Sequence, residues 1–558
     1  MESSSAPVKI AIIGSGPRGL GAIEALIDRF PVHYRSLEFH LFDELQLPGA
    51  GPNFSPAQTP NCILNIPSRL VDIKPKLDLP CGGFNTWQKR QNLSTGDRFP
   101  PRAELGDYLM TRWAQAECLF PDSVKFHQII TRITNAAKHH QGWLLSAGQQ
   151  TFGPFDEVLL TPGQPQTDPD EQMARWLGHA EKINATVINA YPESQLMAAA
   201  KDWCGKRVGI RGLGLSTFDV IRMLTLGLGG HFQDGTYQAS GSEPSHIFAF
   251  SLNGQPPYPK PVDKTYDRQF DADEKEQQDF AQALALAVTQ APADAFSLIV
   301  AALLKPIIRI GAGTGAQFSS NDVESWLAKE IDAPGEQDIL EPTDALKQSI
   351  AIAKGDVPPT VGYVIGQLWR KWQNLLRAGF NQASITPQTA KALVDFDEGL
   401  KRYSYGPPLQ SCLELLTLIE CGQVSLRVAH DPDVKMTGEG WHLVDGDDQT
   451  HVSAMVDAVL PSPVLSNITD RLFVNLKTQA KICQTYQQSG ARTLSDGQLV
   501  GGNGETQTGL SLLGRLALGS VIAVDSIHDC FGEASNRWAD GVVARTINSA
   551  AVRMPASA

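Results

Sequence analysis

The run Val8-Lys9-Ile10-Ala11-Ile12-Ile13 ends directly on Gly14-Ser15-Gly16-Pro17-Arg18-Gly19, and Leu20, Ile23, Leu26, Ile27 and Phe30 follow at helical spacing. A short, β-branched, apolar run reads as a buried parallel strand, and the spacing after it as an amphipathic helix. The glycine turn between them is the strictest constraint in the chain. Its first glycine permits a tight turn, its second lets the backbone approach a pyrophosphate, and its third lets helix and strand pack closely. The helix start then offers unpaired N–H groups and partial positive charge to phosphates. A second strand, Leu37 to Phe42, ends on Asp43-Glu44. Asp43 is placed to accept hydrogen bonds from an adenosine ribose, with Glu44 as the fallback. Strand, turn, helix and acid together predict a Rossmann-like unit that binds a dinucleotide through Gly14, Gly16, Pro17, Arg18, Gly19 and Asp43.

A second unit of this kind begins at Arg207-Val208-Gly209-Ile210-Arg211 and continues through Gly212-Leu213-Gly214-Leu215-Ser216-Thr217. Its third position is Thr, whose hydroxyl near a helix start is able to bond nearby backbone. Gly212, Gly214, Ser216 and Thr217 are its candidate cofactor residues. The next strand, His246 to Phe250, leads into Ser251-Leu252-Asn253 with no acid. An acid there selects the free 2′-hydroxyl of NAD, so its absence tilts the expectation toward NADP. Lys260, Lys264 and Arg268 are candidate 2′-phosphate partners, though each reads more readily as a solvated surface charge. A further strand, Glu157 to Leu160, exits at Thr161-Pro162-Gly163 and adds Gly163 to the cofactor set. Two nucleotide modules in one chain predict hydride transfer from nicotinamide to flavin.

The fold class expected is α/β, with two Rossmann-like dinucleotide-binding modules, for FAD and NAD(P), and a largely helical insertion. We place the first part of the FAD-binding domain at 1–205 and the NAD(P) module at 206–263. The helical insertion then runs over 264–400, and 401–558 returns to the α/β core and completes both domains. Within the insertion, Glu274 to Leu304 and Val364 to Leu376 read as helices, and Gly311-Ala312-Gly313-Thr314-Gly315 as a flexible loop. A formal charge of −13 argues against nucleic acid as a partner, because phosphate binding needs a basic surface. Met1 to Ser5 lacks the features of a signal peptide, and no stretch approaches the roughly 20 apolar residues that span a bilayer. The eight cysteines include no C-x-x-C pair and the 12 histidines show no ligand spacing, so no metal is expected and the disulfide-reductase branch is excluded. The expected setting is cytoplasmic, with reduced thiols and no membrane. Homo-oligomerisation is left open.

With these residues in view, the chain resembles the FAD/NAD(P)-binding family that includes the flavin-dependent, nitrosuccinate-forming L-aspartate N-monooxygenases. The resemblance rests on Gly14 to Gly19 with its Pro17-Arg18, Gly49-Ala50-Gly51-Pro52-Asn53-Phe54 and Leu64-Asn65-Ile66-Pro67-Ser68. It continues in Phe99-Pro100-Pro101-Arg102 with Gly106-Asp107-Tyr108-Leu109, and in Gly212 to Ser216. Tyr405-Gly406-Pro407-Pro408, and Gly514-Arg515 with Asp525, complete the set. Similar sequences carry Ser-Arg where this chain has Ser251-Leu252.

The resemblance implies an FAD-dependent, NAD(P)H-using oxidoreductase. It would be a monooxygenase that hydroxylates the nitrogen of a small amine or amino acid with O₂, through a flavin C4a-hydroperoxide. The alternatives are a flavin-dependent NAD(P)H dehydrogenase or reductase without oxygen insertion, and a non-catalytic flavin-binding protein. The loop from Gly49 to Arg69 and the segment around Arg102 are expected to enclose the flavin ring, with the Asn65 amide at the ring edge. Arg102 or Arg69 would clamp a substrate carboxylate bidentately, and each also reads as a structural ion pair or a phosphate contact. Asp525 would cap the ribityl chain, or else a helix N-terminus.

Overall fold

The structure, a computed structural model, describes residues 6–32, 35–381 and 384–552; the reading of Met1 to Ser5 lies outside them. The apolar run at the start forms strand Val8–Ile13, almost wholly buried, and helix Pro17–Arg29 follows the turn. That strand lies at the centre of a six-stranded sheet. The order is Gln498–Val500, Thr506–Leu512, Glu157–Leu160, Val8–Ile13, Leu37–Asp43, Val124–Ile130. All pairings are parallel except the one between Gln498–Val500 and Thr506–Leu512. One face buries Leu20, Ile23 and Leu26 of helix Pro17–Arg29 with Trp538 and Val542 of the final helix, Glu533–Val552. The other face packs Phe42 and Leu160 against Trp143 and Phe155 of an antiparallel meander formed by Asn135–His139, Gly142–Ala147 and Gln150–Phe155.

The second sheet has five strands, all parallel, in the order Val424–Ser425, His246–Phe250, Arg207–Arg211, Ala454–Asp457, Thr186–Asn189. Thr186–Asn189 lies within the span assigned by sequence to the FAD-binding domain, yet it pairs with Ala454–Asp457. The second module therefore begins before residue 186. A four-residue strand gives too little periodicity to announce its sheet. A second meander, Asp433–Thr437, Gly440–Asp445 and Asp448–Val452, covers this sheet through Trp441 and Leu443.

Between His246–Phe250 and Val424–Ser425 the chain is helical, from Lys264–Asp267 to Leu409–Glu420. Its residues Phe280, Trp369, Trp372 and Leu400 share one continuous core with Val208, Ile210 and Ile221 of the second module. Several local expectations change here. The helix expected over Glu274 to Leu304 is two, Glu274–Ala287 and Pro292–Gly313, parted at residues 288–291, where Pro292 can open a helix but not continue one. Helix Pro292–Gly313 runs through Pro306 and takes in Gly311 to Gly313, where the sequence predicts a loop. The cause is packing: a Cβ on Gly311 would lie 2.5 Å from the Phe318 ring, so glycine is there to admit the ring, not to free the backbone. The predicted helix Val364 to Leu376 is broken at Trp372 into Val361–Lys371 and Gln373–Phe380. The expectation that no stretch approaches bilayer-spanning length changes too: among the described residues, Pro292–Gly313 is the one helix long and apolar enough to cross a membrane by length and composition. Its Ile299, Leu303, Ile307 and Ile310 lie in the shared core.

Candidate functional site

The two glycine turns lie at the C-terminal ends of the central strands, where open α/β sheets hold their ligands. In the first, Gly14 has φ +100°, and a Cβ on it would sit 2.2 Å from the Thr161 carbonyl oxygen. A Cβ on Gly19 would sit 2.6 Å from the Gly14 oxygen. Both positions are glycine because the protein's own backbone fills the space. Gly16 differs: a Cβ there would meet nothing nearer than the Gly51 Cα, at 3.7 Å. Its bareness serves something outside the turn. The first bond of the helix is Leu20 N–H to Gly16 O at 3.0 Å, so the Gly16, Arg18 and Gly19 amides have no acceptor within the helix. This is the geometry a pyrophosphate needs.

The surrounding residues fix that turn. The backbone N–H and hydroxyl of Ser15 both donate to Asp43 Oδ2, at 2.7 and 2.9 Å. Asp43 Oδ1 accepts from Leu45 N–H at 3.0 Å. A carboxylate offers about four lone-pair sites, so a ribose contact is compatible with both. Glu44 is exposed and pairs with Arg132 at 3.2 Å, which directs the fallback acid away from the turn. The Thr161 hydroxyl donates to Gly14 O at 2.6 Å, seating the strand exit against the turn. Gly163, at φ +64°, has open space where a side chain would be. Arg18 is spent internally: its guanidinium meets Asp529 Oδ2 at 2.8 Å and donates to the Val524 carbonyl at 3.3 Å. It anchors the helix to the C-terminal segment, which removes it from the phosphate set.

The second turn repeats the logic. Gly212 has φ +114° and faces the Ala458 carbonyl carbon at 3.3 Å, whereas a Cβ on Gly214 would meet nothing within 4 Å. Thr217 is fully buried and its hydroxyl donates to Gly212 O at 2.8 Å. A hydrogen bond thus replaces the glycine contact of the first turn. Ser216 is buried beside it. Past the neighbouring strand, Leu252 is 82% exposed. Lys260, read as a possible phosphate partner or surface charge, is neither. It is buried, and its Nζ donates to Gly406 O at 2.8 Å.

Residues from the first module dock onto the helix of the second, Leu215–Leu224. Arg102 forms a buried ion pair with Asp219, a short contact, and lies over the Tyr191 ring at 5.4 Å. The Tyr191 hydroxyl donates to the same carboxylate. Arg222 donates to the Asn61 carbonyl at 3.1 Å and pairs with Glu414. Arg102 is therefore a docking residue between modules, because its Nη2 is held by Asp219. Burial and the nearby Asp219 push the Cys62 thiol up to about 12, so it stays protonated. Asp219 and Tyr191 gave no motif in the sequence; only the crossing of two modules reveals them.

Asn65 is half-buried, and its amide has no hydrogen-bond partner among the described residues. Arg69 pairs with Asp97 at 2.5 Å and Asp267 at 3.2 Å, beside a cleft of about 250 Å³ also lined by Lys260 and Arg370. Burial works to raise the Asp267 carboxyl, but Arg370, Lys371 and Arg69 outweigh it and hold it at about 2. Asp525 meets Lys401 at 2.6 Å and Arg515 at 3.4 Å. Burial opposes its ionisation, yet these cations hold it below the usual carboxylate range. The cap of the next helix is Ser526, not Asp525. A second cleft, about 320 Å³, runs between Arg18, Leu513, Gly514 and Asn381.

Two parallel-sheet modules, each with a glycine turn open to a ligand and docked through buried ion pairs, define a two-dinucleotide α/β protein. Residues 11–165 match the FAD-NAD(P)-binding family. The chain is 29% identical over 273 residues to a nitrosuccinic acid synthase of Aspergillus oryzae, covering 46% of this chain and 41% of that one. It is 26% identical over 296 residues to a nitrosuccinate-forming L-aspartate N-monooxygenase of Streptomyces cremeus, covering 44% and 42%. The chain is thus similar to the FAD-NAD(P)-binding family over residues 11–165, and to these enzymes over less than half the length of each. In fold it resembles the reduced ornithine hydroxylase of Pseudomonas aeruginosa, with a TM-score of 0.50 at 13% identity over 97% of this chain and 100% of that one.

Proposed function

We propose that the protein is an FAD-dependent, NAD(P)H-using monooxygenase that hydroxylates the nitrogen of a small amine or amino acid. The observation that carries this reading is the pair of bare glycines, Gly16 and Gly214, each facing space that the protein does not fill. The relatives named above are N-monooxygenases, which favours oxygen insertion over simple electron transfer. FAD is placed at the first turn and the nicotinamide dinucleotide, with NADPH favoured, at the second.

When bound, flavin supplies hydride acceptance and oxygen activation. The chain's own residues do the rest. The Gly16, Arg18 and Gly19 amides grip the diphosphate, and Asp43 orients the adenosine ribose while pinning Ser15. The Asn65 amide, which has no partner among the described residues, is the donor and acceptor offered to the flavin ring edge. The Arg102–Asp219–Tyr191 contact holds the nicotinamide module in fixed register with the flavin module, which hydride transfer needs. An amine reacts as a nucleophile through its own lone pair, so no nucleophilic side chain is required.

The test is aerobic NAD(P)H oxidation by the purified protein against a panel of amines and amino acids, with product masses read alongside. A panel member that gains one oxygen atom, with NAD(P)H consumed in proportion, supports the reading. NAD(P)H oxidation that leaves every product without added oxygen overturns it in favour of a reductase.

A further inference from the structure

The first sheet carries a side-chain cluster that no nucleotide contact uses. Glu38 and His40 alternate along strand Leu37–Asp43 and so share a face. His127, on the edge strand Val124–Ile130, lies opposite His40 in register. Strand pairing thereby gathers two imidazoles and a carboxylate whose spacing along the chain carries no ligand signature. Their ligand atoms all lie within 4.8 Å of one another. Both Nε2 atoms converge on Glu38 Oε1, His40 at 2.9 Å and His127 at 3.3 Å. An ion bonded at about 2.1 Å to each of three such ligands would set them about 3.0–3.4 Å apart, in tetrahedral or octahedral geometry. The His127 separation from Glu38 lies within that range, and the His40 separation of 2.9 Å just below it.

We propose that Glu38, His40 and His127 form a binding site for a first-row divalent cation, with zinc the ion best suited to two imidazole nitrogens and one carboxylate oxygen. The Phe155 ring lies against His40, centroids 5.0 Å apart, and limits its rotation. His127 is 45% exposed, so the ion's remaining position opens to water. Lys9 and Lys125 flank Glu38 in register and oppose a cation, which makes this a weaker site than one with four protein ligands. It sits three residues before Asp43, about 10 Å along the strand, apart from the glycine turn. An ion there would staple the edge strand to its neighbour.

The experiment is equilibrium dialysis of the full-length protein against Zn²⁺, with bound metal counted and thermal unfolding followed with and without the ion. Wild type is expected to hold one more equivalent of zinc than His127→Ala or Glu38→Gln, with affinity falling at least about tenfold in each, the loss that even outer-shell changes bring. Zinc should raise the unfolding temperature of wild type and not of either variant. His139→Ala, at the end of strand Asn135–His139 and outside the cluster, should behave as wild type. Equal zinc content and equal thermal shift in wild type and His127→Ala would overturn the proposal. His127 is exposed, so its removal leaves folding intact and the comparison readable. The measurement needs no catalytic turnover, so it stands or falls apart from the monooxygenase reading.

Discussion

Replacing Gly16 by valine fills a space in which an added Cβ meets only Gly51, so the folded chain tolerates it while a diphosphate does not. Gly16→Val should yield soluble, colourless protein, measured as lost flavin absorbance relative to protein absorbance; normal flavin content would remove the cofactor from this turn. Gly14→Val is a different experiment. Its side chain would run into the Thr161 carbonyl at a φ that β-branched residues avoid, so misfolding is expected before any question of binding arises. Gly214→Val should leave the flavin in place and slow its reduction by NAD(P)H at least about tenfold, the equivalent of 1.4 kcal/mol of lost binding. Stopped-flow absorbance would show this, and unchanged reduction would count against the second turn.

At the scale of elements, the helix Leu215–Leu224 is held to the first module by a charge with almost no access to water. Asp219→Ala leaves the partly buried Arg102 without its carboxylate partner and should destabilise the protein by about 2 kcal/mol, read from denaturant unfolding. Exchanging both partners for apolar residues, Arg102→Met with Asp219→Leu, should recover most of that loss. Helix Ser320–Asp332 supplies a pH dependence of its own. Burial lifts Glu330 to about 7, although Gly335 N–H donates to it at 2.8 Å. The folded state then holds a proton that the unfolded chain releases near the ordinary value of about 4.3. Stability from this group therefore falls as pH rises from 4.3 through 7. Glu330→Gln should raise the unfolding temperature at pH 8 and change it little at pH 4.

The elements differ in how openly the sequence declares them. Val8 to Phe30 is legible because strand period, glycine turn and helix period follow one another without interruption. The same holds for Arg207 to Leu224. The two meanders were not legible, since their short strands, such as Gly142–Ala147, give too few residues for alternation to stand out. The site divides in the same way. Gly14, Gly16 and Asp43 are neighbours in a β-α-β unit and could be placed from local order. The partners of Arg18, Arg102 and Asp525, namely Asp529, Asp219 and Lys401, are separated from them by up to hundreds of residues. No local pattern encodes such a meeting.

For the whole molecule, the last stretch of chain is part of the first fold. The final helix, Glu533–Val552, covers Leu20, Ile23 and Leu26 with Trp538 and Val542. Ending the chain at Gly532 should expose that face, and the expected outcome is protein that aggregates or purifies without flavin. Full solubility with normal colour would show that the helix is dispensable. Strand Thr506–Leu512 has a further consequence, since it lies directly beside Glu157–Leu160 in the six-stranded sheet. The ribosome must pass from Leu160 to Leu512 before that neighbour exists. Strand Glu157–Leu160 therefore emerges well before its partner, and the module made in between has time to settle before the first sheet is complete.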